Sequence, residues 1–166
     1  MSTDANPDAQ ASIHVDAAPE QVYALVSDPG VLAELAGEYE GHRWLGGATE
    51  AAVGARFRGR NRNGFRRWST TSTITDAAKG ERFAFEVSVG PLRISRWQYD
   101  IEPDGDIEQD GAGCRVVERT WDRRPGWARV VTGTLIGISD RRGLNQRNME
   151  KTLAALKRRA EAVATS

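Results

Sequence analysis

Apolar and polar positions change their period twice along this chain. Ser12-Ile13-His14-Val15 alternates polar and apolar, the period of a half-buried strand. The period then lengthens. Pro19 takes a first helical position with Glu20 close behind, Val22, Leu25 and Val26 share one helical face, and Asp28-Pro29-Gly30 stops the helix. Val31 to Leu35 reads as a second short helix ended by Gly37. Period two returns over Glu40–Leu45, Ala55–Asn61, Phe65–Asp76, Glu81–Val89, Arg93–Glu102 and Cys114–Asp122. Asn63-Gly64 predicts a hairpin turn, because both residues tolerate positive φ, and Gly90-Pro91 predicts another. Connections this short make consecutive strands antiparallel. Beyond Arg124-Pro125-Gly126 the spacing is helical again: Trp127, Val130, Val131, Thr134, Leu135 and Ile138 first, then Met149, Leu153, Leu156, Ala160 and Val163. This predicts a short helix over Trp127–Ile138 and a main helix from Arg141 to Val163, capped by Ser139 or Asp140.

One strand, two short helices, six strands and a long helix make an α+β chain with one continuous sheet. Such a sheet is expected to curve around the terminal helix and leave an internal cavity that takes apolar molecules. The 166 residues suit one domain over 11–163, with the polar residues 1–10 expected to be disordered. Twenty-three basic residues balance 23 acidic ones, so no global field draws in nucleic acid or an anionic membrane. The single cysteine, Cys114, forms no internal disulfide, and no Cys/His spacing suggests a metal or another cofactor. With no secretory leader and no apolar run long enough to span a bilayer, the expected compartment is the cytoplasm.

Several segments resemble a known family. They are Ile13-His14-Val15, the run Ala17-Ala18-Pro19-Glu20-Gln21-Val22-Tyr23-Ala24-Leu25-Val26-Ser27-Asp28, Trp44-Leu45-Gly46-Gly47, and Val53-Gly54-Ala55-Arg56-Phe57-Arg58-Gly59-Arg60-Asn61. The strands Trp68–Ile74 and Arg82–Phe85 and the terminal Asn148-Met149-Glu150-Lys151-Thr152-Leu153 extend the match over Ala11 to Ala162. Together they resemble the polyketide cyclase/dehydrase and lipid-transport family, within the START-like, helix-grip superfamily that includes the birch-pollen allergen. The resemblance implies a helix-grip fold: a seven-stranded curved antiparallel sheet wrapped around a long C-terminal helix, with two short helices after the first strand. It implies an apolar cavity, but no shared catalytic residue, because this fold hosts carriers, receptors and cyclases alike.

Strand parity selects the residues that face the interior. Phe83, Phe85 and Val87 point inward on one strand, Trp68, Thr70, Ser72 and Ile74 on another, and Phe57, Gly59 and Asn61 on a third. Trp97, Tyr99 and Ile101, then Val116, Glu118 and Thr120, do the same on the last two, and Trp44 with His42 on the second. The candidate ligand-binding set is therefore Trp44, Phe57, Asn61, Trp68, Thr70, Ser72, Phe83, Phe85, Trp97, Tyr99 and Glu118, joined by Trp127, Met149 and Leu153 from the helices. Any one of these aromatics suits an ordinary core equally well. Several polar groups on one interior, however, imply water or a ligand with a polar part, or else mutual hydrogen bonds or a misassigned strand register.

Glu118, His42 and Tyr99 are the candidates for proton transfer. Glu118 is either a partly buried carboxylate with a raised pKa, or a solvated or arginine-paired one with Arg119 and Arg96 as neighbours, and the second is the default expectation. His42 is read by default as a strand-end surface residue, and Cys114 as structural. Arg56, Arg58, Arg60 and Arg62 fall on the outward parity of a hairpin, the pattern of a solvated face. The expected function is binding or transport of a small hydrophobic or amphipathic ligand (lipid, fatty acyl or polyketide-like). The alternatives are an aromatase/cyclase or dehydrase on a similar substrate, or a protein-interaction module using the outer sheet face.

Overall fold

A computed structural model describes residues 6–36, 39–104, 113–130 and 141–164. In order they form β1 (Ala9–Val15), α1 (Pro19–Val26), α2 (Pro29–Leu35), β2 (Tyr39–Leu45), β3 (Arg56–Asn63), β4 (Arg66–Ala78), β5 (Arg82–Val89), β6 (Leu92–Pro103), β7 (Cys114–Asp122) and the long helix α3 (Arg141–Ala164). The strands make one seven-stranded antiparallel sheet in the order β1-β7-β6-β5-β4-β3-β2. It is a curved sheet with α3 packed across it against β1, α1 and α2, which is the helix-grip arrangement. The first strand thus closes onto the last, and six consecutive strands need only a simple meander.

Local chemistry sets the boundaries. Pro19 opens α1, and the Ala18 N–H donates to Gln21 Oε1 at 3.4 Å. Asp28-Pro29-Gly30 ends α1, as the sequence suggests, but it also begins α2 two residues before the expected Val31. Asp28 Oδ1 accepts from the Gly30 N–H at 2.7 Å and the Val31 N–H at 3.3 Å, and Pro29 takes the first turn. The β3–β4 turn falls on Gly64-Phe65, one residue beyond the expected Asn63-Gly64, with Asn63 paired to Arg66. Gly64 at φ +62° supplies the positive φ at the first turn position, so Phe65 needs none.

Two further expectations change. β1 begins at Ala9 rather than Ser12, inside the stretch expected to be disordered. Ala9 and Gln10 pair with Thr120 and Arg119, and Asp8 Oδ2 accepts from the Asp122 N–H at 2.8 Å. Helix follows β7 at 126–130, while the rest of the expected Trp127–Ile138 helix and the caps Ser139 and Asp140 lie outside the described residues.

Bulges bend the sheet where strict alternation would keep it straighter. Registers shift between Ile74 and Asp76 in β4, and between Val87 and Ser88 where β5 faces β6. The core fills the closed end: Val15, Val22, Val26, Phe83, Val116, Met149, Leu153, Leu156 and Ala160 are all buried. Burying a side chain the size of Phe83 is worth about 1.5–3 kcal/mol.

Candidate functional site

The grip is not packed solid. A cavity of about 350 Å³ lies between the concave face of β3–β7 and the helices α2 and α3. That volume falls in the lower part of the range typical of small-molecule sites, roughly 300–1,000 Å³. Phe57 and Asn61 reach it from β3, Trp68, Thr70 and Ser72 from β4, and Phe85 and Val87 from β5. Gly59, between Phe57 and Asn61 on the same parity, adds no side chain to the wall. Ile94, Ser95, Trp97 and Tyr99 come from β6, and Glu118 from β7. The helical side supplies Leu32, Leu35, Asn145, Met149 and Thr152, with Ala36, Asn148 and Lys151 beside them.

Some of the polar lining satisfies itself. The Asn61 amide donates to Thr70 Oγ1 at 3.2 Å, and the Trp97 indole N–H donates to Ser95 Oγ at 3.1 Å. Glu118 and Tyr99 are direct register partners on β7 and β6. The Tyr99 hydroxyl donates to Glu118 Oε1 at 2.9 Å. Glu118 is 2% exposed, and its other oxygen, Oε2, is buried without a hydrogen-bond partner. An orphaned buried polar atom costs about 1–3 kcal/mol. Burial pushes the Glu118 carboxyl up to about 8, with the Tyr99 hydrogen bond pulling weakly the other way. Burial, then the neighbouring carboxylate, push the Tyr99 phenol well above its ordinary value. The pair therefore stays protonated at neutral pH, and Glu118 is a neutral acid with one hydrogen-bonding position unused.

This overturns the default expectation for Glu118. Neither arginine reaches it: Arg119 points to the opposite face and bonds Asp100, while Arg96 donates to Thr75 Oγ1 at 3.0 Å and Gln98 Oε1 at 3.1 Å. His42 is only half buried and sits outside the cavity wall, with its ring edge-on to Trp44 and Phe57 at 6.1 and 6.4 Å. It lies so close to Gly30 that a Cβ there would come within 3.2 Å of its Cε1. Cys114 is buried, and burial raises its thiol to about 11. Among the described residues no group of three or more His, Cys, Asp and Glu is placed to hold a metal ion.

Of the fourteen binding candidates, four miss the cavity. Phe83 is fully buried core, packed edge-on against Tyr23 at 6.4 Å, and Leu153 is core on α3. Trp44 packs edge-on against Phe57 at 5.7 Å and borders a separate open groove of about 480 Å³ beside Tyr23, Asp28 and Lys79. Trp127 is 67% exposed. Sequence reasoning missed Leu32 and Leu35, Ile94 and Ser95, and the polar residues of α3. Asn145, Met149 and Thr152 are spaced i, i+4, i+7, which was a legible signal. Ile94 was not legible, since the register shift beside it brings two consecutive residues, Ile94 and Ser95, to one face.

A curved sheet closing on a long helix defines the helix-grip fold. The profile of the family described as polyketide cyclase/dehydrase and lipid transport matches residues 7–161, and the chain belongs to that family. It is similar to the solved structure of the Polyketide_cyc-like protein Cgl2372 from Corynebacterium glutamicum: 29% identity, 93% of this chain, 91% of that one, TM-score 0.62. TTHA0849 from Thermus thermophilus shares the fold at 22% identity and TM-score 0.62, over 93% of this chain and 97% of that one. So does the di-domain ARO/CYC protein BexL of the BE-7585A biosynthetic pathway, at 21% identity and TM-score 0.60, where 95% of this chain covers 47% of that one. A comparison with curated proteins finds no match.

Proposed function

We propose that this protein binds a small, largely apolar molecule in the cavity between sheet and α3. The cavity itself carries the reading. Its wall joins aromatic and aliphatic side chains to polar ones, of which Asn61 and Thr70, Ser95 and Trp97, and Tyr99 and Glu118 bond one another, and an unfilled gap among packed side chains forfeits their contacts. A ligand filling it would gain about 25 cal/mol for each Å² of apolar surface removed from water. Family membership supports the same reading, since lipid transport is part of the family's description.

Native mass spectrometry of the purified protein is expected to show a co-purifying ligand. Trp68→Ala and Phe85→Ala are expected to weaken its retention, and Arg58→Ala and Arg60→Ala to leave it unchanged. The reverse pattern would point instead to an interaction module working through the outer face.

One observation favours a second reading, an aromatase/cyclase or dehydrase. A neutral carboxyl beside a phenol, at the wall of a cavity that would hold a folded chain, is placed to pass a proton to or from a carbonyl. The fold it shares with ARO/CYC proteins is compatible with this. Turnover of a polyketide-like substrate that survives Glu118→Gln and His42→Gln unchanged would remove both residues from that role.

A further inference from the structure

Among the described residues that line the cavity, one fully buried side-chain polar atom has no hydrogen-bond partner, Glu118 Oε2. With Oε1 accepting the Tyr99 hydrogen bond, the proton of the neutral acid belongs on Oε2. Oε2 is therefore a donor without an acceptor. The groups that face it explain why. Tyr99 of β6 already donates to the other oxygen, Thr70 and Ser72 of β4 are uncharged, and the β1 residue opposite is Ala11. Lys151 of α3 is the one other charged residue in the lining among the described residues, and it is exposed at the rim.

We propose that the cavity selects ligands bearing a neutral hydrogen-bond-accepting oxygen, a ketone, ester or similar group, seated on Glu118 Oε2, and disfavours carboxylates. The acceptor completes the donor set of the carboxyl. A ligand carboxylate seated there would be buried with no cation beside Glu118 among the described residues to balance it. This makes Glu118 the residue that fixes ligand orientation, and Tyr99 the one that holds Glu118 in place. The proposal rests on the cavity being a binding site, and the test separates the two.

Three probes of one skeleton do so by equilibrium dialysis: 2-acetylnaphthalene, 2-ethylnaphthalene and 2-naphthoate. At pH 6.5 the ketone is expected to bind roughly tenfold more tightly than the ethyl compound, the scale of one hydrogen bond, and more tightly still than the carboxylate. Ketone affinity is expected to fall as pH rises through about 8, where Glu118 loses its proton, while the ethyl compound shows no such fall. In Glu118→Gln that pH dependence is expected to vanish. In Glu118→Leu the preference for ketone over ethyl is expected to vanish too. If ketone and ethyl compound bind equally, with flat pH profiles, or if 2-naphthoate binds as tightly as the ketone, the proposal is overturned and the cavity reading stands. If none of the three binds, both are overturned.

Discussion

Asp100 and Glu118 sit on neighbouring strands, both withdrawn from water at 7% and 2% exposure, on opposite faces of the sheet. On the convex face Asp100 is saturated. The Arg82 Nε–H donates to its Oδ1 at 2.5 Å, the Gln98 amide to its Oδ2 at 2.8 Å, and Arg119 donates to Oδ2 as well. On the concave face Glu118 has a single phenol. A fold that needs a buried carboxylate for stability surrounds it with donors, as around Asp100. Leaving one with an unused oxygen beside a cavity makes sense if something else completes it. On the proposed reading, the contrast separates a group that holds the sheet together from one that a ligand completes.

The largest effect that tests this contrast is the dependence of stability on pH. The folded-state pKa of Glu118 is raised, to about 8 from 4.5, so the native state keeps a proton that the unfolded chain releases. Between those two values stability falls with rising pH, by about 1.4 kcal/mol per pH unit, and below or above them this group contributes no slope. Glu118→Gln removes the proton exchange. The variant is thus expected to gain on the wild type by several kcal/mol between pH 5 and pH 8 in urea unfolding. A constant difference across that range would show that Glu118 is ionised in the fold, and the contrast with Asp100 would collapse.

Asp100→Asn comes next. It leaves Arg82 and Arg119 short of a counter-charge. The Arg82 and Arg119 side chains are 46% and 27% exposed, so water offsets part of the loss. A destabilisation of about 2–3 kcal/mol is expected, below the 3–5 kcal/mol of a fully buried pair. Ketone binding in the cavity is expected to be unaffected. Tyr99→Phe is smaller. It removes the hydrogen bond that holds the Glu118 pKa down, so the ionisation midpoint is expected to move further up. The loss in stability at neutral pH is expected to be about 1 kcal/mol, the lower end of the cost of leaving a buried acceptor, Glu118 Oε1, without its donor.

Much of this was legible in the chain, and the remainder failed for physical reasons. Element order, antiparallel pairing and the long amphipathic helix all follow from hydrophobic period, which the backbone geometry imposes directly. Inward parity on β3, β4 and β7 also follows, because Phe57, Ile74 and Val116 each fix a strand. What parity does not reveal is depth. Phe83 and Phe85 share a face, yet Phe83 lies in the core beneath Tyr23 while Phe85 reaches the cavity. Nor does it reveal bulges, which depend on cross-strand register and brought Ile94 inward. The protonation of Glu118 was the least legible feature. Arg119 adjoins Glu118 in the chain and Arg96 lies on the neighbouring strand, but alternation sends both to the other face, so proximity suggested partners that geometry denies.

The smallest predicted effect lies on the convex face of β2 and β3. Arg43 and Arg58 are directly opposed in the register, and both are exposed. Like charges placed opposite each other in an antiparallel pair repel, and long side chains in water relieve only part of that. Arg58→Glu converts the repulsion to attraction without touching the cavity wall. An increase in Tm of about 1–2 °C at low salt is expected, shrinking as salt screens the pair. The affinity for 2-acetylnaphthalene is expected to be that of the wild type. If instead reversing this charge weakened ligand retention as much as Phe85→Ala does, the two faces would not be independent. The outer arginines would then have to be counted as part of how the ligand arrives.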